Sequence, residues 1–148
     1  MRLVFFQPDI PQNLGAAMRL GACFGTGLDV VEPCAFPLTD KGIRKAAMDY
    51  SAQISPVRHA SWSAYLSSEE ASSGRLVLFT TKASDIVWDF DFQPDDRLIF
   101  GRESVGAPEE VHAAADARLL IPIRPEARSL NLVTAAAIAL GEAVRRTR

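Results

Sequence analysis

Short apolar runs bounded by turn-forming residues alternate along this chain with stretches of three- and four-residue periodicity. Leu3 to Phe6 is the first run; Pro8 and Pro11 close it, and it reads as a buried strand. From Asn13 the spacing turns helical. Leu14, Ala17, Met18 and Gly21 share one face, Asn13 is the expected N-cap, and Gly25 with Gly27 end the helix. Leu28 to Val31 predicts a second strand, stopped by Pro33. Asp40 is expected to cap a helix running to about Met48, Ile54 to Arg58 to form a third strand, and Trp62 to Leu66 a short helix. Ser67 to Gly74 is polar and reads as a surface connection. Arg75 to Thr80 is a strong strand pattern, joined by an acidic stretch through Asp96 to a further strand, Arg97 to Phe100. Pro108 is suited to the first turn of another helix. Arg118 to Ile123 reads as the last strand, and Asn131 to Arg146 as an Ala-rich helix apolar on nearly every side. Such a helix asks for burial, and a partner subunit is one cover for it.

Strands alternating with helices predict an α/β fold with a mostly parallel sheet flanked by helices, with residues 1–148 as one domain. Ligands in such sheets gather beyond the carboxyl ends of the strands. Phe79–Thr80, Phe100–Gly101 and Ile121–Ile123 are such ends, and so are candidates to line one pocket.

Composition narrows the function classes. No window approaches 18 continuous apolar residues, so no membrane span is expected. The N-terminus lacks the long apolar run of a secretory leader, which predicts a cytoplasmic protein. Two cysteines are too few to staple a secreted scaffold, and Cys23, between Ala22 and Phe24, is expected as a buried free thiol. His59 and His112 stand alone, so no metal site is expected. Sixteen basic against 18 acidic residues give a net charge of −2, without the overall basicity of many nucleic-acid binders. A locally basic face can still arise from Lys41, Arg44, Lys45 and Arg58, or from the C-terminal arginines. For any one cluster, including the acids from Asp85 to Asp96, solvated surface charge is the simpler reading.

Three stretches carry candidate chemistry. FGRESVGAP (Phe100–Pro108) follows a strand with two glycines, a carboxylate at Glu103 and a hydroxyl at Ser104. It has no Lys after Gly106, so it is not a Walker loop; its glycines miss the dinucleotide spacing; and Arg102 stands where a nucleophile elbow needs glycine. Alone, it reads best as a tight turn. PQNLGAAMR (Pro11–Arg19) leaves helix backbone uncovered at Gly15, Ala16 and Ala17 and ends on an arginine, which alone reads as a surface residue. RSLNL (Arg128–Leu132) brings a guanidinium, a hydroxyl and an amide to a helix start, where N–H groups suit an anion; ordinary capping by Ser129 or Asn131 is the alternative.

Their order along the chain is more specific than any one of them. P-x-N-x-G-x-x-x-R, then F-G-x-E-x-x-G, then I-P…S-L-N resembles the three motifs of the SPOUT-superfamily RNA 2′-O-methyltransferases. Within that superfamily the chain is similar to the short tRNA (cytidine/uridine-34 2′-O)-methyltransferases of the TrmH/TrmL type. DYSAQISPVRH after KGIRKAAM, and FTTK at Phe79–Lys82, extend the likeness over essentially the whole chain.

The resemblance implies an α/β domain with a C-terminal trefoil knot around an S-adenosylmethionine site, working as a homodimer on the anticodon loop of tRNA, with leucine isoacceptors the expected substrates. By motif it places Phe79, Gly101, Ile121, Ser129 and Leu130 at the cofactor, with Gly101 allowing close approach. Glu103 and Asn131 are expected as structural motif residues, Glu103 anchoring its loop. Arg19, Asn13 and Ser129 are the implied catalytic set. Arginine stays protonated in proteins, so Arg19 is expected to bind the neighbouring phosphate and favour the alkoxide, near the partner subunit's cofactor. Arg19, Arg44, Asp49, Tyr50 and Arg128 are the implied RNA contacts. Gly141 departs from the aromatic many relatives carry, and Arg102 and Val105 vary the middle motif. No added RNA-binding domain is visible, which favours the wobble nucleotide over ribosomal RNA. Another tRNA or rRNA site, a non-catalytic RNA-binding relative, or a flavodoxin-like small-ligand module are the rival expectations.

Overall fold

The computed structural model describes residues 1–47 and 54–148. Along the chain run β1 (Arg2–Phe6), α1 (Pro11–Phe24), β2 (Gly27–Val31), α2 (Asp40–Ala47), β3 (Val57–His59), α3 (Trp62–Leu66), α4 (Glu69–Ser72), β4 (Leu76–Phe79), β5 (Asp85–Ile86), β6 (Arg97–Phe100), α5 (Glu109–Ala114), β7 (Ala117–Leu120) and α6 (Leu132–Thr147). The named strands form one sheet in the order β3-β2-β1-β6-β4-β7-β5, and every pairing is parallel. Parallel pairing sends all the carboxyl ends to the same edge, where a ligand site is expected.

The strands are apolar throughout because both faces are covered. Alternation then divides them. Leu3, Phe5, Leu28, Val30, Leu98 and Phe100 face Leu14, Ala17 and Met18 of α1 and Ala136, Ala139 and Leu140 of α6. Val4, Phe6, Val31, Leu78 and Ile99 face Trp62 and Tyr65 of α3, Ala71 of α4 and Val111 of α5. Small residues on α6 let it pack against both α1 and β6. Among the described residues, no helix is long and apolar enough to cross a membrane.

Several boundaries differ from the sequence expectation, each for a local reason. Pro11 begins α1 with Ile10 in the cap position, so Asn13 lies inside the first turn and its side chain is buried instead of capping. Gly25 alone makes the left-handed C-cap, at φ 64°, while Gly27 already belongs to β2 beneath the Arg2 guanidinium. For α2 the capping oxygen is Thr39 Oγ1, which accepts from Gly42 N at 3.0 Å. Pro108 stands one residue before α5, in the cap position. Ser68 caps α4 within the polar connection, and β5 forms within the acidic stretch. That stretch is not all solvated. Asp96 is fully buried, accepting from Arg75 Nε at 2.8 Å, Arg75 Nη2 at 2.9 Å and Gln93 N at 2.8 Å. Cys23 is exposed, not buried, because it falls on the outward side of α1; Cys34 is half-buried, and burial pushes its thiol up to about 11.

At the other flank of the sheet Asp29, fully buried in β2, accepts from Arg2 Nε at 2.5 Å and meets His59 Nε2 at 2.9 Å. It thereby ties β1, β2 and β3 together. Removing one member of a buried ionic group strands the others. Asp29→Ala is expected to lower unfolding stability by about 3 kcal/mol, seen as a lower urea midpoint at unchanged slope.

Candidate active site

The carboxyl edge holds a cavity of about 580 Å³, within the range of small-molecule sites. Its floor is aromatic. Phe79 and Phe100 stack at 5.0 Å with 12° between ring planes, and Phe5 stacks behind Phe100 at 5.6 Å. The stack follows from register, since Phe5 and Phe79 each pair with Phe100 across neighbouring strands. Around this floor stand Ile10 and Asn13 from the start of α1, Thr80 to Lys82 after β4, the loop after β6, and residues between β7 and α6 that include Ile121, Ser129 and Leu130.

The loop after β6 is a closed turn. Arg102 N donates to Gly106 O at 3.0 Å and Gly106 N to Arg102 O at 2.9 Å, with Gly106 at φ 72°. Gly106 closes the turn at its bridge with Arg102, in a left-handed conformation that side-chain-bearing residues rarely adopt. Gly101 is required by its own chain: a Cβ there would lie 2.4 Å from Ala107 N and 2.5 Å from Gly106 C. The close approach expected at Gly101 is therefore first of all one of backbone to backbone.

A chain of side-chain hydrogen bonds crosses the site. Glu103 Oε2 accepts from Asp9 N at 2.6 Å, and Glu103 Oε1 from Asn13 Nδ2 at 2.8 Å. Asn13 Oδ1 accepts from Asn131 Nδ2 at 3.1 Å. Asn131 Oδ1 caps α6, accepting from Val133 N at 2.9 Å and Thr134 N at 3.2 Å. Glu103 thus ties its loop to Asp9 and directly to Asn13, and only through Asn13 to Asn131. Asp9 closes the loop from outside: its carboxylate accepts from Arg102 Nε at 3.1 Å, Arg102 Nη2 at 2.7 Å, Ser104 N at 3.0 Å and Ser104 Oγ at 2.5 Å.

Phe79, Gly101, Ile121, Ser129 and Leu130 all line the cavity, with Asn13, Glu103 and Asn131. Arg19 and Arg128 are exposed and stand outside that lining. Arg44 lies on α2, away from it in sequence and element, and Asp49 and Tyr50 fall outside the described residues. Sequence reasoning missed three residues here. Lys82 reaches the rim from the FTTK segment. His112 contributes to the wall; it is buried, and its Nε2 has no hydrogen-bond partner among the described residues. Asp9 gave no signal, because its partners are more than ninety positions away. Among the described residues no group of three or more His, Cys, Asp or Glu side chains is placed to hold a metal ion.

Three separated stretches wall this cavity at the carboxyl edge of the parallel sheet, and comparison with known proteins gives the class, a methyltransferase. Residues 1–141 match the SpoU rRNA Methylase family, and the chain belongs to that family. A tRNA (cytidine(34)-2′-O)-methyltransferase of Beijerinckia indica is 52% identical over 143 residues, spanning 97% of this chain and 89% of the relative. One of the same name from Polaromonas is 40% identical, spanning 97% and 88%. A structure solved to explain 2-OH methylation of C/U34 on tRNA superposes with a TM-score of 0.88 at 36% identity, covering 98% of this chain and 94% of its own. The SpoU methyltransferase AviRb of Streptomyces viridochromogenes, solved with the cofactor AdoMet, gives 0.84 at 28%, covering 99% and 60%.

Two outcomes follow from the loop geometry. Gly101→Ala must push the loop open against backbone, and is expected to cost about 1–3 kcal/mol of unfolding stability, read by urea denaturation. Burial pushes the Asp9 carboxyl up, but the bonds from Ser104 and Arg102 outweigh it and hold the group below its ordinary range. A carboxyl depressed in the folded state adds stability above its unfolded value and loses it as pH falls through the folded one. Carboxyl titration followed by NMR is therefore expected to give Asp9 a midpoint below about 3.9; a midpoint at or above that value contradicts the clasp.

Proposed function

We propose that this chain is an S-adenosylmethionine-dependent methyltransferase acting on the ribose 2′-hydroxyl of the wobble nucleotide, position 34, of tRNA. The observation that carries the reading is convergence. Phe79, Gly101, Ile121, Ser129 and Leu130, from three separated stretches, wall one cavity at the carboxyl edge of the sheet. Relatives named for cytidine-34 methylation share up to 52% of their residues over nearly the whole chain.

The cavity suits the cofactor. Its volume matches a ligand of that size, and the stacked Phe79 and Phe100 with Leu119 and Leu130 give apolar surface to a planar base. Glu103, an obstacle to phosphate, is no obstacle to a cation. When bound, S-adenosylmethionine supplies a methyl group already activated by its sulfonium, so much of the catalysis is positioning.

Asn13, held between Glu103 and Asn131, orients the ribose together with Ser129. Arg19 binds the adjacent phosphate and stabilises the oxygen as its proton passes to solvent water, without itself serving as the base. Arg19 follows Asn13 by six residues on α1, roughly 9 Å along and about 240° around the helix. Asn13 faces this chain's cavity, so an exposed Arg19 suits the cavity of a second copy. The reading therefore includes a homodimer. It also includes the C-terminal trefoil knot that the likeness implies, Arg44, Tyr50 and Arg128 as anticodon-loop contacts, leucine isoacceptors as substrates, and work in the cytoplasm.

Purified protein with labelled S-adenosylmethionine is expected to methylate tRNA at nucleotide 34. Arg19→Ala is expected to slow transfer by about 10²-fold while cofactor affinity stays within about twofold, the split expected of a group that touches the RNA and not the cofactor. Equal rates for both proteins, or methylation of ribosomal RNA in place of tRNA, would contradict the reading.

A further inference from the structure

We propose that Asp9 is a positioning residue for cofactor binding: it clasps the turn after β6 and so presets the middle wall of the cavity. This rests on the cofactor reading above. Asp9 is absent from the cavity lining, yet five hydrogen bonds join it to three consecutive residues that form it. Its carboxylate accepts two from the Arg102 guanidinium and two from Ser104, while its own N–H donates to Glu103. The charge pair Arg102 Nη2–Asp9 Oδ1 measures 2.7 Å, with the aspartate side chain 14% exposed and the arginine 35%.

The turn has little else on its outer side to hold it. Val105 at its tip is 72% exposed, and Ser104 and Gly106 are exposed too. Its internal hydrogen bonds fix its shape but not its position relative to β1 and α1. The Glu103–Asn13 bond ties the turn to α1, and Asp9 adds the tie to the connection between the end of β1, at Phe6, and the start of α1, at Pro11. With the clasp closed, Glu103 is delivered to Asn13, and through Asn13 to Asn131 at the head of α6. With it open, the loop must be ordered at the moment of binding, and that ordering free energy is subtracted from affinity. Arg102 and Val105, the variant positions of the motif, thus have different parts here: one is the partner of the clasp and the other its exposed tip.

The test uses the full chain and S-adenosylhomocysteine as probe. Asp9→Ala and Arg102→Ala are each expected to raise the calorimetric Kd about tenfold in protein that remains folded, with a melting temperature modestly below that of the wild type. The double variant is expected to be no weaker than the weaker single one, since two groups acting through one contact are not additive. In the ligand-free protein, hydrogen exchange at the Ser104 amide should quicken at least about tenfold in Asp9→Ala, while amides of β6 and α6 hold. That readout does not depend on activity, and Arg102→Ala supplies it from the other side if Asp9→Ala folds poorly. Unchanged Kd and exchange in a folded variant, or fully additive losses in the double variant, would overturn the proposal. Tight wild-type binding with an unaffected Asp9→Ala would strike the clasp alone, whereas a wild type that does not bind S-adenosylhomocysteine would strike the cofactor reading.

Discussion

The row Phe5–Phe100–Phe79 is the constraint on which the rest of the site depends. These rings come from three adjacent parallel strands and stack only because Phe5 and Phe79 both lie in register with Phe100. Each aromatic pair contributes about 0.5–1.5 kcal/mol beyond burial, and a slip of one residue would turn every ring to the opposite face. Because the three strands end together, the loops that leave them begin at one level. The turn after β6, the Thr80–Lys82 segment and the approach to α1 then meet over the same floor.

What they build there is a polar network on an apolar base. Asp9, Glu103, Asn13 and Asn131 join segments that are up to 118 positions apart in sequence. Asn13 is the member with least solvent, 8% exposed, and both ends of its amide are satisfied. Asp9 and Glu103 are half-buried and Asn131 is exposed, so the cost of an unpaired group in low dielectric falls chiefly on Asn13. Its complete pairing specifies one arrangement of the loops. The site is thus held by contacts within the chain itself, the property expected where transfer depends chiefly on positioning.

Much of this was legible in the residues. β6 and α3 fall where the sequence placed them, and β1, β2, β4 and α6 within a residue or so at most ends, because their apolar periodicity is strong. β7 ends earlier than expected, at Leu120, and β5 was not foreseen, since two residues of an acidic stretch carry no periodic signal. Asn13 shows where local reasoning fails. An asparagine before an apolar helical run is an ordinary cap, and only Glu103 and Asn131, brought in by the tertiary fold, draw its side chain inward. Asp96 and Cys23 fail in opposite directions for the same cause: neighbours in sequence do not decide burial, and Asp96 is buried because Arg75 is there to pair with it. Phe79, Thr80, Phe100, Gly101, Ile121 and Ile123 were legible as strand ends, and Ser129 and Leu130 through the motif resemblance, whereas the Asp9 clasp, a contact between two loops, has no sequence pattern to announce it.

The central claim is that this cavity and its rim serve one nucleotide of one RNA class. Nucleoside mass spectrometry of tRNA from cells with and without this gene tests it most directly. 2′-O-methylated nucleoside at position 34 is expected to be present with the gene and lost without it, while ribosomal 2′-O-methylation is unchanged. Intact wobble methylation in the deletion strain, or a loss confined to ribosomal RNA, would contradict it.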